Sequence, residues 1–304
     1  MTARRDHLVR SIVHGSGVRV LTAFTTETAR AAADSHGCAP TSAALLAQGL
    51  TAGLLLASAL EKEKARINFQ VACDGPAGGL FVDAGADGTA RGYIRNPKVF
   101  FPSGPGEGLH PERAIGRSGY INVLRDFGGS DIYRGMVELS AFELASDLRS
   151  YFVASEQIET AVALAVTAEG PETLGAVAGM LVQRLPNGES TAVERAQDAL
   201  RNGALERGLR DHLSATALIE SLGLGAGEIE LLADYPVSWW CSCSHERVVN
   251  AVRTMGLEEM RSLFAEQGEA RATCEFCGKK YILSGEELLR LIRSTDEPSS
   301  SGEK

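Results

Sequence analysis

Aromatic side chains are scarce, at 6% of 304 residues, and residues 153–234 contain none. The core must therefore be packed from aliphatic and alanine side chains. Any helix in that long stretch lacks the side chain whose burial contributes most. Positive charge is also short: 30 Lys and Arg against 39 Asp and Glu leave a net charge of -9 and a pI near 5.3. Such a surface repels phosphate backbones, so no nucleic acid is expected as partner. No apolar run of secretory length follows the charged segment 1–10, and Arg4-Arg5 is not an export signal for the same reason. Residues 43–60 carry no charge, but six alanines and two glycines make them weak for a membrane span. They are expected to form a buried core helix capped by Thr41 or Ser42, with no membrane partner. Phosphate loops are absent: Gly75-Pro76-Ala77-Gly78-Gly79 has no Gly-Lys-Ser/Thr after it, and Gly104, Gly106 and Gly108 lack a strand–turn–helix setting. No Ser/His/Asp set stands out among six scattered histidines, so catalysis is not expected.

What is present suggests an α+β fold with a mixed, largely antiparallel sheet. Residues 18–25 are β-branched, and Ile67, Phe69, Val71 and Cys73 alternate with period two. Asp74-Gly75-Pro76 and Asp87-Gly88 mark turns between strands at 67–73, 79–82 and 91–94. Further strands are expected at 120–125 and 132–139 around Gly128-Gly129, and at 158–166 and 175–182. Helices are expected at 28–36 and 141–155, and a Gly/Pro-rich loop at 102–111. From Asn187 to Ala233, eight acidic and four basic residues sit among alanines and leucines, which reads as helices with thin apolar stripes and marginal stability. The last segment predicts helices at 246–257, 257–267 and 286–293 and a hairpin of 270–273 with 279–283. The resulting division is a core domain at 1–180, a helical linker at 181–233, a small domain at 234–294 and a polar, disordered tail at 295–304.

Six cysteines in a chain without a secretory signal point to a reducing, cytoplasmic setting, where clustered thiols serve metals or redox chemistry. Cys38 and Cys73 stand alone and read as small buried hydrophobes. Cys241-Ser242-Cys243 and Cys274-Glu275-Phe276-Cys277 form two close pairs separated by thirty residues. Four thiolates suit one tetrahedral zinc with bonds of ~2.3 Å, and Gly278 frees the turn of the second pair. His245 is an alternative ligand to one of the four, although the start of an exposed helix accounts for it as well. The one-residue spacing of the first pair would make a strained disulfide if oxidised, hence one readily reduced again. Zinc keeps its sulfurs as thiolates and so reactive toward peroxide. Between Trp239 and Tyr281, six basic and six acidic residues leave no basic face for nucleic acid. A thiol oxidoreductase would need an exposed cysteine free of metal.

The stretches Cys241-Ser-Cys-Ser-His-Glu-Arg-Val248 and Cys274-Glu-Phe-Cys-Gly-Lys-Lys-Tyr281 resemble heat shock protein 33, the redox-regulated holdase chaperone family of bacteria. The likeness extends through Pro40-Thr-Ser-Ala-Ala44, Asp74-Gly-Pro76, Arg91-Gly-Tyr93, Asn96-Pro97, Ser155-Glu-Gln-Ile158, Thr160-Ala-Val-Ala163 and Leu181-Val-Gln-Arg-Leu-Pro186, and so over residues 7 to 293. The resemblance implies an α+β core, a metastable linker and a zinc redox-switch domain. It implies one Zn(2+) per chain on Cys241, Cys243, Cys274 and Cys277, with an inactive reduced state. It implies that oxidation pairs Cys241 with Cys243 and Cys274 with Cys277, releases zinc, unfolds the linker and favours a homodimer. The active form would hold unfolding client proteins without ATP. Cys38, Cys73 and the Trp239-Trp240 pair are not part of that pattern.

Overall fold

The computed structural model describes residues 5–60, 62, 64–102, 108–128, 132–170, 172–225 and 227–296. The chain divides into two compact units, Met1–Trp240 and Cys241–Lys304.

The larger unit is layered around one helix. Helix α1 (Thr26–His36) ends at the left-handed Gly37 and leads into α2 (Pro40–Ser58). Every residue of α2 from Thr41 to Ser58 is buried, because it is apolar all round and has a sheet on either side. Gly49 and Gly53 permit the close approach: added Cβ atoms would lie 2.9 Å from Leu80 and 2.6 Å from Val82. The few polar groups of α2 are partnered, as buried polar groups must be. Thr51 Oγ1 donates to Ala47 O and lies 2.7 Å from Thr25 Oγ1, and Gln48 Nε2 donates to Leu164 O at 3.1 Å. The expected caps lie elsewhere: Ala39 is the N-cap, with Pro40 in the first turn, where its missing N–H is not needed. Thr41 and Ser42 sit inside the helix and hold the following loop instead. Phe101 N donates to Thr41 Oγ1 at 3.0 Å and Val99 N to Ser42 Oγ at 3.1 Å.

One flanking sheet contains β3 (Arg66–Cys73), β4 (Leu80–Gly85), β5 (Thr89–Ile94), β6 (Gly119–Asp126), β7 (Ile132–Glu138) and the two-residue β11 (Ser238–Trp239), in the order β11-β5-β4-β3-β6-β7. Its pairs are antiparallel except β11 with β5. The period-two expectation holds: Ile67, Phe69 and Val71 are buried while their neighbours are half-buried. At the Asp87-Gly88 turn, Asp87 accepts hydrogen bonds from Thr89 N and Oγ1 and Gly88 has φ 84°.

The second sheet has the order β10-β1-β2-β9-β8, all antiparallel: β10 (Ile229–Pro236), β1 (His7–Val13), β2 (Val18–Phe24), β9 (Leu174–Arg184) and β8 (Thr160–Ala168). Both faces of β1, β2, β9 and β8 are apolar, while the edge strand β10 is largely exposed. Leu8, Leu21, Val162, Leu164 and Leu181 share one core with α2. Val9, Val20, Ala163, Met180 and Val182 face a different core, closed by α4 (Ser190–Arg201), α5 (Ala204–Arg210) and α6 (Ala215–Ser221). These helices lie in the segment with no aromatic residue. They bury Leu200, Leu205, Leu209, Leu218 and Ile219 against the sheet, with Leu213 partly buried beside them.

The structure departs from expectation at several places. Residues 229–236 form a strand, although Glu230, Leu231 and Leu232 favour helix; pairing with β1 overrides local propensity. Strand β1 was not expected at all. The helix expected at 141–155 is shorter: α3 (Leu144–Tyr151), capped by the Glu143 carboxylate on Ala145 N and Ser146 N, runs into a π-helical turn, Phe152–Glu156. Residues 103–107 of the expected loop and Gly129 lie outside the described residues, as does the expected tail from 297 onward; Thr295 and Asp296 belong to a helix. Cys38 and Cys73 are half-buried against the apolar core of the larger unit. Burial pushes the Cys38 thiol up to about 11 and raises that of Cys73.

Leu205 is fully buried beneath α5. Leu205→Ala should therefore lower the unfolding free energy of the larger unit by about 2–5 kcal/mol, read as a lower urea midpoint at unchanged slope.

Candidate metal centre

The smaller unit has a modest apolar core. Val252, Met260, Ala270, Leu283, Leu288, Leu291 and Ile292 are buried together. They come from α7 (His245–Thr254), α8 (Leu257–Gln267), α9 (Gly285–Asp296) and the hairpin of β12 (Ala270–Thr273) with β13 (Lys280–Leu283). The helix starts are well specified. Ser244 caps α7 by accepting from Arg247 N at 3.2 Å. Ser284 and Glu287 form a capping box at α9: Ser284 N and Oγ donate to Glu287 Oε2, while Glu287 N donates to Ser284 Oγ.

Cys241 and Cys243 lie in irregular chain just before α7, and Cys274 and Cys277 lie in the tight turn of the hairpin. Gly278, at φ 68°, lets the turn close, with its N–H on Cys274 O at 2.8 Å. The four sulfurs converge. Cys241 Sγ is 3.7 Å from Cys274 Sγ, Cys243 Sγ is 3.4 Å from Cys277 Sγ, and all four lie within 4.8 Å of one another. Tetrahedral zinc with bonds of ~2.3 Å puts its sulfurs about 3.8 Å apart, so the donor set and spacing fit such an ion. All four cysteines are half-buried.

His245 stands outside this set. Its Nε2 lies 3.0 Å from Glu287 Oε1, so it ties the start of α7 to the start of α9. Arg247 Nη1 donates to Ser242 Oγ at 2.7 Å, which holds the residue between the first two cysteines. A further residue was missed by reading the sequence. Tyr281 follows Cys277 by four positions, and β13 returns it to the cluster, where its hydroxyl donates to Cys243 Sγ at 3.0 Å. The signal lay in the hairpin: a residue just past the turn doubles back over the sulfurs.

The thiols differ in acidity when no metal is bound. Burial raises Cys274 and pushes Cys277 up to about 12. Burial also acts to raise Cys243, but hydrogen bonds from Tyr281 and from the Cys277, Cys241 and Cys274 thiols outweigh it and bring Cys243 down to about 7. The same bond, with burial, holds the Tyr281 phenol up to about 12.

Comparison with known proteins agrees with this arrangement. The model of the Hsp33 protein family matches residues 6–284. The chain is 34% identical over 287 residues to a 33 kDa chaperonin of Geobacillus kaustophilus, covering 94% of this chain and 97% of that protein. It is 35% identical to a 33 kDa chaperonin of Gloeobacter violaceus, covering 97% and 99%. The crystal structure of the 33 kDa chaperonin (Hsp33 homologue) of Thermotoga maritima has the same fold, with a TM-score of 0.81 at 23% identity over 96% of this chain and 99% of that one. The family and the names of these relatives are those of a chaperone rather than an enzyme. The chain belongs to the Hsp33 family, whose members act on client proteins.

Two outcomes follow from the geometry. Cys241→Ser should lose bound zinc in a chromogenic zinc assay, because a neutral hydroxyl replaces a thiolate. In the metal-free reduced protein, Cys243 is deprotonated above about pH 7 and Cys277 only near pH 12. Mass-spectrometric mapping of iodoacetamide labelling should find Cys243 modified before Cys277 at pH 7.5, with the gap closing as pH rises.

Proposed function

We propose that the protein is a redox-regulated, ATP-independent holdase of the cytoplasm that captures unfolding proteins under oxidative stress. The convergence of the four cysteine sulfurs carries the reading. Cys241, Cys243, Cys274 and Cys277 would hold one Zn(2+) in the reduced protein, and the metal would supply thiolates at neutral pH together with much of the small unit's folding free energy, ~10 kcal/mol or more for structural sites. The small apolar core supports that dependence.

Oxidation pairs Cys241 with Cys243 and Cys274 with Cys277. The shortest chain separations favour this pairing, although the four sulfurs all lie within 4.8 Å of one another and Cys241–Cys274 and Cys243–Cys277 approach to 3.7 and 3.4 Å. Disulfides across so few residues constrain the unfolded chain little, so the small unit loosens once the metal is lost. The linker, residues 181–233, loosens with it. Strands β10 and β11 connect it to Cys241 directly, and no aromatic side chain anchors its helices. Uncovering Leu200, Leu205 and Leu209 would present apolar surface to unfolded clients or to a second copy, giving a homodimer in the oxidised state. No role for nucleic acid or membrane enters this reading.

A second reading has one observation on its side. The leucines of α4 to α6 are buried by a sheet of the larger unit, so the metal could staple a static domain and leave them covered. Amide exchange over 187–233 before and after peroxide separates the two. The switch requires protection there to fall, and light scattering of a heat-denaturing client should show suppression by oxidised protein only, without nucleotide. Equal protection and equal activity in both redox states would refute it.

A further inference from the structure

We propose that Tyr281 restrains the oxidation of Cys243, its hydroxyl acting as a hydrogen-bond brake on the thiolate of that sulfur. The inference rests on the reading of the four cysteines as an oxidisable zinc site, and adds what governs its rate.

The hydroxyl of Tyr281 donates to Cys243 Sγ at 3.0 Å. It is held there from three directions. Its ring is buried, with only 7% of the residue exposed. Its backbone is paired in the hairpin, opposite Ala272. Lys279 Nζ lies over the ring face, 5.3 Å from its centroid. The donor is therefore fixed on one sulfur before any oxidant arrives. The other side of the site is served by main chain: amides of Phe276 and Cys277 face Cys274 Sγ, and the Lys279 amide faces Cys277 Sγ. Tyr281 performs for the first pair what the tight turn performs for the second, but with a side chain, which substitution can remove without touching the backbone.

A hydrogen bond to a metal-bound thiolate draws charge off sulfur and orients the ligand. The consequence for oxidation follows from the reaction. The Cys243 thiolate attacks one oxygen of a hydroperoxide; the S–O bond forms as the O–O bond breaks. Sulfur loses two electrons and becomes sulfenic acid, while the peroxide leaves as hydroxide. Charge moves off sulfur in the transition state, so a bond that stabilises the thiolate is weakened as the reaction proceeds and slows it. Charged hydrogen bonds are strong, and thiolate nucleophilicity follows basicity with a slope near one half. Losing the hydroxyl should therefore speed attack about three- to tenfold.

The test compares zinc-loaded, full-length wild type with Tyr281→Phe, which keeps the ring, and with protein carrying 3-fluorotyrosine at 281, a stronger donor of nearly the same size. Two readouts are taken under limiting hydrogen peroxide: the rate of zinc release by a chromogenic chelator, and the distribution of the first sulfenic acid trapped by dimedone and mapped by mass spectrometry. The expected order of rates is phenylalanine fastest, tyrosine intermediate and fluorotyrosine slowest, with Cys243 gaining share of the trapped label in Tyr281→Phe. Equal rates across the three overturn the inference. So does a faster Tyr281→Phe whose label rises equally on all four cysteines and whose zinc-loaded melting temperature falls, since that is loss of packing. Should Tyr281→Phe fail to fold, the tyrosine and fluorotyrosine proteins still decide by their order. A wild type that binds no zinc, or keeps it under peroxide, instead fells the reading of the site itself and this inference with it.

Discussion

Strands β1, β2, β9 and β8 of the sheet β10-β1-β2-β9-β8 are buried on both faces, only the edge strand β10 being largely exposed, and that constraint organises the larger unit. A sheet with one wetted face alternates apolar and polar residues; here, successive positions such as Leu8 and Val9, or Leu181 and Val182, are all buried. Two covers are therefore obligatory. One is α2, which is uncharged, buried from Thr41 to Ser58 and shared with the sheet β11-β5-β4-β3-β6-β7. The other is the layer of α4, α5 and α6, whose partners are mostly alanine and valine. The covers differ in kind. α2 packs against both sheets, whereas the helical layer covers one face of one sheet, which it meets with alanine, valine, leucine and isoleucine side chains.

The four-cysteine unit is organised by a different constraint. Its helices and hairpin bury few large side chains, so the convergence of four sulfurs must do what a larger core does elsewhere. Surrounding details serve that convergence: Gly278 closes the turn, Arg247 holds Ser242 between two cysteines, and the His245–Glu287 contact joins two helix starts. On the zinc reading, the chemistry that would stabilise the unit is thus also the chemistry an oxidant would attack.

The sequence was most legible where a pattern is local. The alternation of Ile67, Phe69 and Val71 and the uncharged run that became α2 each follow from consecutive residues and match the structure, and the two close cysteine pairs are brought together with all four sulfurs within 4.8 Å of one another. It was least legible where identity comes from a distant partner. β10 is written in helix-forming residues and is a strand because β1, more than two hundred positions earlier, pairs with it. β1 itself interrupts its apolar pattern with Arg10 and Ser11, the point where its register with β10 shifts. The thin stripes of α4 to α6 indicate helices of marginal stability, but the sheet face beneath them is set by distant strands that no local pattern reveals. Tyr281 was visible only as one residue of a hairpin.

The path of the chain around the helical cover bears on what happens after the cover lifts. β9 enters it and β10 leaves it, and both strands belong to the sheet that the cover protects. The layer is therefore a flap hinged at both ends. While those ladders hold, its apolar stripe stays at high effective concentration above the face it vacated. Under the proposed switch, any chain bound to that face would compete with an intramolecular rival that never diffuses away. On the proposed switch, occupancy of that face would then depend on the flap's own folding tendency.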